Sequence, residues 1–160
     1  MINLIVRRLK PLIRCSIALG TLVSRPMTVG VRGAIFDETG RVFLVRHTYL
    51  PGWYLPGGGV DPGESVHTAV VRELREEGNI EVEGRPDLFG VYLNARHSKR
   101  NHVALFVIRN WQQPVPPHLP NMEIAEVGFY SLDDLPGETT PATRRRLEEI
   151  GIGLQRDEIW

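Results

Sequence analysis

Apolar positions along this chain switch between two periods. From Met27 to Phe36 they alternate, with Val29, Val31, Gly33 and Ile35 on one face, which predicts a strand. Asp37-Glu38-Thr39-Gly40 reads as a turn, and Arg41 to His47 returns as a second strand. Its unbroken run Val42-Phe43-Leu44-Val45 predicts burial on both faces. The two strands are expected to form a hairpin. A turn at Pro51-Gly52 then leads into a short strand at Trp53 to Leu55. After Ser65 the period becomes helical, with Val66, Ala69, Val70 and Leu74 as one stripe. Ser65 suits the N-cap. Gly78-Asn79 is a stop signal, because these residues take the left-handed conformation most readily. Ile80–Glu83, Leu88–Ala95 and His102–Arg109 read as strands, and Gln112–Pro120, with four prolines, as a semi-extended connector. Val127–Tyr130 is a strand, followed by a tight turn from Leu132 to Leu135. A last helix has Thr140 as N-cap, Pro141 at its first position and Gly151 as its C′ residue. On it, Arg144/Glu148 and Arg145/Glu149 are expected as surface i, i+4 pairs. Residues 151–160 form a tail without a pattern. No internal repeat or second-domain boundary is visible.

Composition narrows the class. A chain of 160 residues suits one domain around one core. No window of about 18 apolar residues exists, so a spanning helix is not expected. Formal net charge is +0, which gives no footprint of a nucleic-acid partner. Cys15 is the only cysteine; it excludes an internal disulfide and a cysteine zinc site, and it fits a reducing, cytoplasmic compartment. The acidic residues begin at Asp37, whereas Arg7, Arg8, Lys10, Arg14, Arg25 and Arg32 all precede it. Residues 1–26 are therefore a basic amphipathic segment ahead of a domain at 27–150. Three readings compete for it: a helix packed on the domain, a peripheral contact of residues 1–24 with an anionic membrane surface, and a targeting presequence. Pro11 interrupts a single helix and weakens all three.

The chemistry concentrates between Gly57 and Ile80. A glycine-rich loop leads into a helix carrying Glu73, Glu76 and Glu77, which fall within an arc of about 100°. Like charges at i, i+3 and i, i+4 cost a few tenths of a kcal/mol per pair. A hard cation such as Mg²⁺, which takes carboxylate, water and phosphate oxygens, turns that cost into binding energy. The glutamates border the apolar stripe, so partial enclosure is expected, and Arg72 or Arg75 can grip a carboxylate bidentately. Trp53 and Tyr54 are either core packing or an aromatic wall beside a ligand. The link Arg96-His97-Ser98-Lys99-Arg100-Asn101 is either a solvated hairpin tip or a mobile basic loop that meets phosphate. Arg46, Tyr49, Trp53, Arg96 and Arg100 are the candidate substrate contacts, with Tyr92 and His97 as further positions to inspect.

Gly58, five residues, Glu64, seven residues, then Arg72-Glu73-Leu74-Arg75-Glu76-Glu77-Gly78-Asn79-Ile80 resembles the signature of the Nudix hydrolases. One position departs, Asn79 standing where the pattern has glycine, which leaves the helix stop and the glutamates intact. Leu55-Pro56-Gly57 before the box and Phe129 to Pro136 after it also resemble the family. The resemblance implies an α/β fold, a Nudix-type α/β/α sandwich with a mixed β-sheet. It implies hydrolysis of a nucleoside diphosphate linked to another moiety, a small-molecule nucleotide, with Mg²⁺ or Mn²⁺. Position by position, Glu73, Glu76 and Glu77 would hold the metal with a Gly57 or Gly58 carbonyl. Arg72 would orient the glutamates, and Glu64 would support the loop and the metal shell. The general base would be Glu73, or Glu123 or Glu126 from the segment before Val127. Two other functions stand beside hydrolysis: a nucleotide-sensing module without catalysis, and a structural factor at a membrane surface. The box says what bond is cut and leaves open in which molecule.

Overall fold

The computed structural model describes residues 27–160. The basic segment 1–26, with the readings offered for it, lies outside the described residues. Strands β1 (Thr28–Ile35), β2 (Val42–His47), β3 (Glu81–Val82), β4 (Asp87–Leu93), β5 (Asn101–Ile108), β6 (Trp111–Gln112) and β7 (Ile124–Tyr130) accompany helices α1 (Val66–Gly78) and α2 (Pro141–Ile152). No helix among the described residues is long and apolar enough to cross a membrane.

The alternation of the strands sorts their side chains into two layers. Val31 and Ile35 of β1, Phe43 and Val45 of β2, and Ala104, Phe106 and Ile108 of β5 pack with Ala69, Val70 and Leu74 of α1. The intervening residues Ala34, Val42, Leu44 and Leu105 pack on the opposite side with Leu147 and Ile150 of α2. The strands thus lie between two helices, an α/β/α sandwich. The run Val42–Val45 is buried throughout, as its composition predicts, because β2 has a helix on each side.

The strand pairing differs from the expected hairpin. β1 pairs in parallel with β5, and β5 pairs antiparallel with β4, giving a mixed sheet in the order β1-β5-β4. β2 pairs antiparallel with β7. Between β1 and β2 there is only the isolated bridge Phe36–Val42. The reason is competition for edges. Along its free edge β1 bonds the glycine loop: Val31 N–H donates to Gly58 O (2.9 Å), Gly33 N–H to Pro56 O (2.9 Å), and Val60 N–H to Val29 O (2.9 Å). With β5 on the other edge, β1 is paired on both sides without β2.

Smaller corrections follow at the second helix. It ends at Gly153 (φ 67°), not Gly151, so its last turn runs further. The expected surface pairs do not form. Arg144 donates to the Pro136 and Thr139 carbonyls and Arg145 to that of Trp160, while Glu149 is buried. The patternless tail packs back on the domain, Leu93 N–H donating to Glu158 O (2.8 Å) and Trp160 N–H to Leu93 O (3.0 Å).

Candidate active site

The loop and helix of the motif hold each other in place. The Ser65 hydroxyl accepts the Thr68 N–H at 3.1 Å and starts α1. Asn79, at φ 51° and ψ 37°, ends it in the left-handed conformation. Gly57 has φ 137°, and a Cβ there would lie 2.2 Å from the Val31 carbonyl oxygen. At Gly58 a Cβ would lie 2.6 Å from Glu73 Oε1. The loop is therefore pressed between β1 and the Glu73 carboxylate, and a side chain at either glycine would force them apart.

Arg72 ties the carboxylates together. Its Nε donates to Glu64 Oε1 (3.0 Å) and its Nη2 to Glu64 Oε2 (3.0 Å), a bidentate grip. Nη1 donates to Glu73 Oε1 (2.7 Å) and Glu76 Oε2 (3.2 Å), and Nη2 also reaches Gly59 O (2.9 Å). One guanidinium thus joins three glutamates and the loop. These hydrogen bonds hold the Glu64 carboxyl below its usual range. Glu64 Oε2 also accepts the Asp61 N–H (3.1 Å), which closes the turn before the helix.

Glu77 lies deeper, 3% exposed. Its Oε2 accepts the Gly57 N–H at 2.7 Å, and its Oε1 lies 3.9 Å from His47 Nε2. Burial pushes its carboxyl up to about 8, against the opposing charge of Arg32. Burial also raises Glu73, with Arg72 pulling the other way. His47 is pushed down, first by burial and then by Arg32. A buried carboxylate without a cation in contact is costly to ionise, and among the described residues Glu77, unlike the three glutamates on Arg72, meets no arginine. Ligand atoms of His47, Glu77 and Glu123 all lie within 4.8 Å of one another. This donor set, mostly oxygen and partly enclosed, fits a divalent cation.

The candidate residues from the sequence divide. Glu64, Arg72, Glu73, Glu76 and Glu77 form one cluster, and Glu123 joins it from the chain just before β7, where it accepts the Tyr49 hydroxyl (3.4 Å). Glu126 turns away, its Oε2 paired with Arg46 Nη2 at 2.6 Å, so both members of that pair are committed to each other. The Gly58 carbonyl, expected to face a metal, instead accepts from Val31 on β1, which leaves Gly57 as the alternative. Trp53, a candidate substrate contact read as either core packing or an aromatic wall, is 6% exposed and packs edge-on against Tyr130 at 5.0 Å, a core residue. Tyr92 is wholly buried and donates to Glu149 (2.8 Å), away from the glutamates.

Beside the loop runs a groove. One lobe, about 680 Å³, is lined by Arg32, Gly58, Gly59, Asn94, His97 and Trp160, among others. A second, about 450 Å³, shares Arg32, Asn94, His97 and Trp160 and adds Arg96. The basic hairpin link therefore supplies Arg96 and His97 to the groove, while Arg100 lines neither lobe. His47, Arg32 and Trp160 were not singled out from the sequence as site residues. For His47 a signal existed: it continues the face of Phe43 and Val45, which packs under α1. Arg32 sits among apolar residues of β1, where a charge asks for a partner; its Nη1 donates to Leu55 O (2.9 Å). Trp160 carries no local signal.

The family model for the NUDIX domain matches residues 26–150. A protein of Bacillus subtilis (strain 168), provisionally named an 8-oxo-dGTP diphosphatase, is 30% identical over 128 residues, which span 80% of this chain and 83% of the relative. The crystal structure of a MutT NUDIX hydrolase from Burkholderia pseudomallei is similar with a TM-score of 0.66 and 33% identity, over 77% of this chain and 97% of that one. An ADP-ribose pyrophosphatase from Streptococcus suis is similar with a TM-score of 0.58 and 29% identity, over 83% and 95% of the two chains.

Proposed function

This chain belongs to the NUDIX family and is a Nudix pyrophosphohydrolase; on that premise we propose that it cleaves the pyrophosphate bond of a small nucleoside diphosphate derivative, of the nucleoside triphosphate or nucleotide-sugar type, with Mg²⁺ or Mn²⁺ bound among its glutamates. The observation that carries this is the grip of Arg72 on Glu64, Glu73 and Glu76 beside a buried Glu77 that, among the described residues, has no arginine or lysine in contact.

Cleavage brings water to phosphorus while charge builds on the bridging and equatorial oxygens. A bound divalent ion supplies neutralisation of that charge and a more acidic water. The chain's own residues do the rest. Glu76 and Glu77, met by Glu123 from before β7, would hold the ion. Glu73 takes the water's proton: Arg72 occupies its Oε1, burial raises its proton affinity, and a base of raised pKa is the stronger acceptor. Arg72 fixes the rotamers of both kinds of glutamate. Arg32 and Arg96 offer positive charge to the phosphates in the groove, and His97 and Trp160 offer ring faces to the rest of the nucleotide. The relatives' names suggest where to look first: an oxidised guanine deoxynucleoside triphosphate, and ADP-ribose.

The test compares wild type with Glu77→Gln on those two compounds, ordinary nucleoside triphosphates, a UDP-sugar and a 5′-triphosphorylated oligonucleotide, with Mg²⁺ and with chelator. Wild type is expected to turn over at least one only when metal is present, with Glu77→Gln slower by more than about 100-fold. Whether pyrophosphate, orthophosphate or two monophosphates appear names the bond. Absence of metal-dependent turnover on the whole panel overturns the proposal.

A further inference from the structure

The most unusual side chain near the glutamates is a histidine. His47 ends β2, where the pairing with β7 shifts: Arg46 faces Glu126, and the next pair is His47 with Ile124. Such a bulge re-aims side chains. Here it leaves Arg46 outward on Glu126 and sends the imidazole inward. His47 is 6% exposed, flanked by the Tyr49 and Tyr54 rings at 5.3 and 5.6 Å. Its Nδ1 is buried without a hydrogen-bond partner among the described residues. Its Nε2 stands 3.9 Å from Glu77 Oε1, too far for a hydrogen bond. A buried polar group left unmatched costs roughly 1–3 kcal/mol. Glu77 spends its Oε2 on the Gly57 N–H, so its other oxygen is the one turned to His47. Glu123 completes the triangle from the segment just before β7 and is exposed.

We infer that His47 is a ligand of the cation site, which with Glu77 and Glu123 becomes a mixed nitrogen–oxygen site that takes a divalent first-row transition cation in preference to Mg²⁺. The inference rests on the reading that Glu77 and Glu123 hold the cation. The chemistry is ligand softness: imidazole nitrogen suits transition metals, whereas Mg²⁺ strongly prefers oxygen. The geometry is near closure. Two donors on one ion with bonds of about 2.0–2.2 Å stand at most roughly 4.4 Å apart. The three donor atoms already lie within 4.8 Å of one another, so small movements bring them onto one ion. The burial of His47 by two tyrosine rings would hold it in place.

Mn²⁺ alone is the probe. Pulsed electron paramagnetic resonance of Mn²⁺ bound to the wild-type protein is expected to show ¹⁴N modulation from imidazole, and His47→Leu to abolish it. In calorimetry, His47→Leu is expected to weaken Mn²⁺ about 10- to 100-fold while changing Mg²⁺ affinity by less than about threefold. The wild-type spectrum decides even if His47→Leu does not fold: Mn²⁺ bound there without ¹⁴N modulation overturns the inference, as does an unchanged Mn²⁺ to Mg²⁺ ratio in a folded His47→Leu. The two readings fail differently. Mn²⁺ that binds wild type and Glu77→Gln alike removes the glutamate site itself, and with it the inference. Mn²⁺ that depends on Glu77 but shows no nitrogen removes His47 alone.

Discussion

Glu77 is held where ionisation is hardest, and the consequence is a dependence of stability on pH. In the folded protein without metal its carboxyl is raised to about 8, against 4.5 as the ordinary value. The folded state therefore keeps a proton that the unfolded chain releases. Its contribution to stability is fully present below about pH 4.5 and is lost as pH rises through about 8. Metal-free wild type is expected to lose stability between about pH 4.5 and 8 in urea denaturation, and Glu77→Gln to be flatter and the more stable of the two at pH 9. Added Mg²⁺ or Mn²⁺ should reverse that order, since only wild type binds it tightly. Parallel pH profiles for the two proteins would remove this account of Glu77. Arg72 gives a second test. Lysine keeps the charge but cannot hold Glu64 bidentately while reaching Glu73 and Glu76. Arg72→Lys is expected to lower kcat about 10- to 100-fold with the fold intact by circular dichroism.

Helix α1 shows how one end residue serves two elements. Asn79 takes the left-handed position that stops the helix, and its Nδ2 donates to the Val115 carbonyl (2.9 Å) in the proline-rich connector. Gln113 adds a bond from the same connector to Gly78 O (2.7 Å). Glycine would satisfy the backbone and lose the tether, which gives the departure from the family pattern a physical role. Asn79→Ala is expected to cost about 1–2 kcal/mol, the left-handed penalty for a residue with a Cβ. Asn79→Gly should stay within about 0.5 kcal/mol of wild type and speed hydrogen exchange at the Gln113 and Val115 amides. If both variants match wild type in stability and exchange, Asn79 does neither job.

Across the sheet from the glutamates, α2 and the tail close the other layer. Arg146 is wholly buried, stacked over Tyr92 at 4.2 Å, and donates to Ile159 O (2.8 Å) and Glu149 Oε1 (3.1 Å). Glu149 also accepts from Tyr92 and from the Arg156 and Asp157 N–H groups. Removing the arginine leaves a buried carboxylate without its cation. Arg146→Ala is expected to cost about 3–5 kcal/mol in chemical denaturation and to expose residues 154–160 to protease. Mn²⁺ affinity at α1 should be unchanged, because the sheet separates the two layers; a loss of affinity would show that the clasp reaches the glutamates.

What could be read along the chain was local. The helix N-caps, the stop at Asn79, the Pro141 start, the buried run of β2 and the spacing of Glu64, Arg72, Glu73, Glu76 and Glu77 depend on neighbours a few residues away, and they were legible; the end of α2 was not. Strand partners were not. Whether β1 bonds β2 or β5 depends on which segment reaches its edges first in space, and the glycine loop took one of them. The same reason hid half of the candidate site. Glu123 could be named but not separated from Glu126 until the bulge in β2–β7 turned one toward Glu77 and the other toward Arg46. His47 and Trp160 gained their meaning from segments far away in sequence. The carboxylate box, being helical and contiguous, was decided by the chain; which groups face it was decided by packing, because proximity across a sheet leaves no trace in spacing.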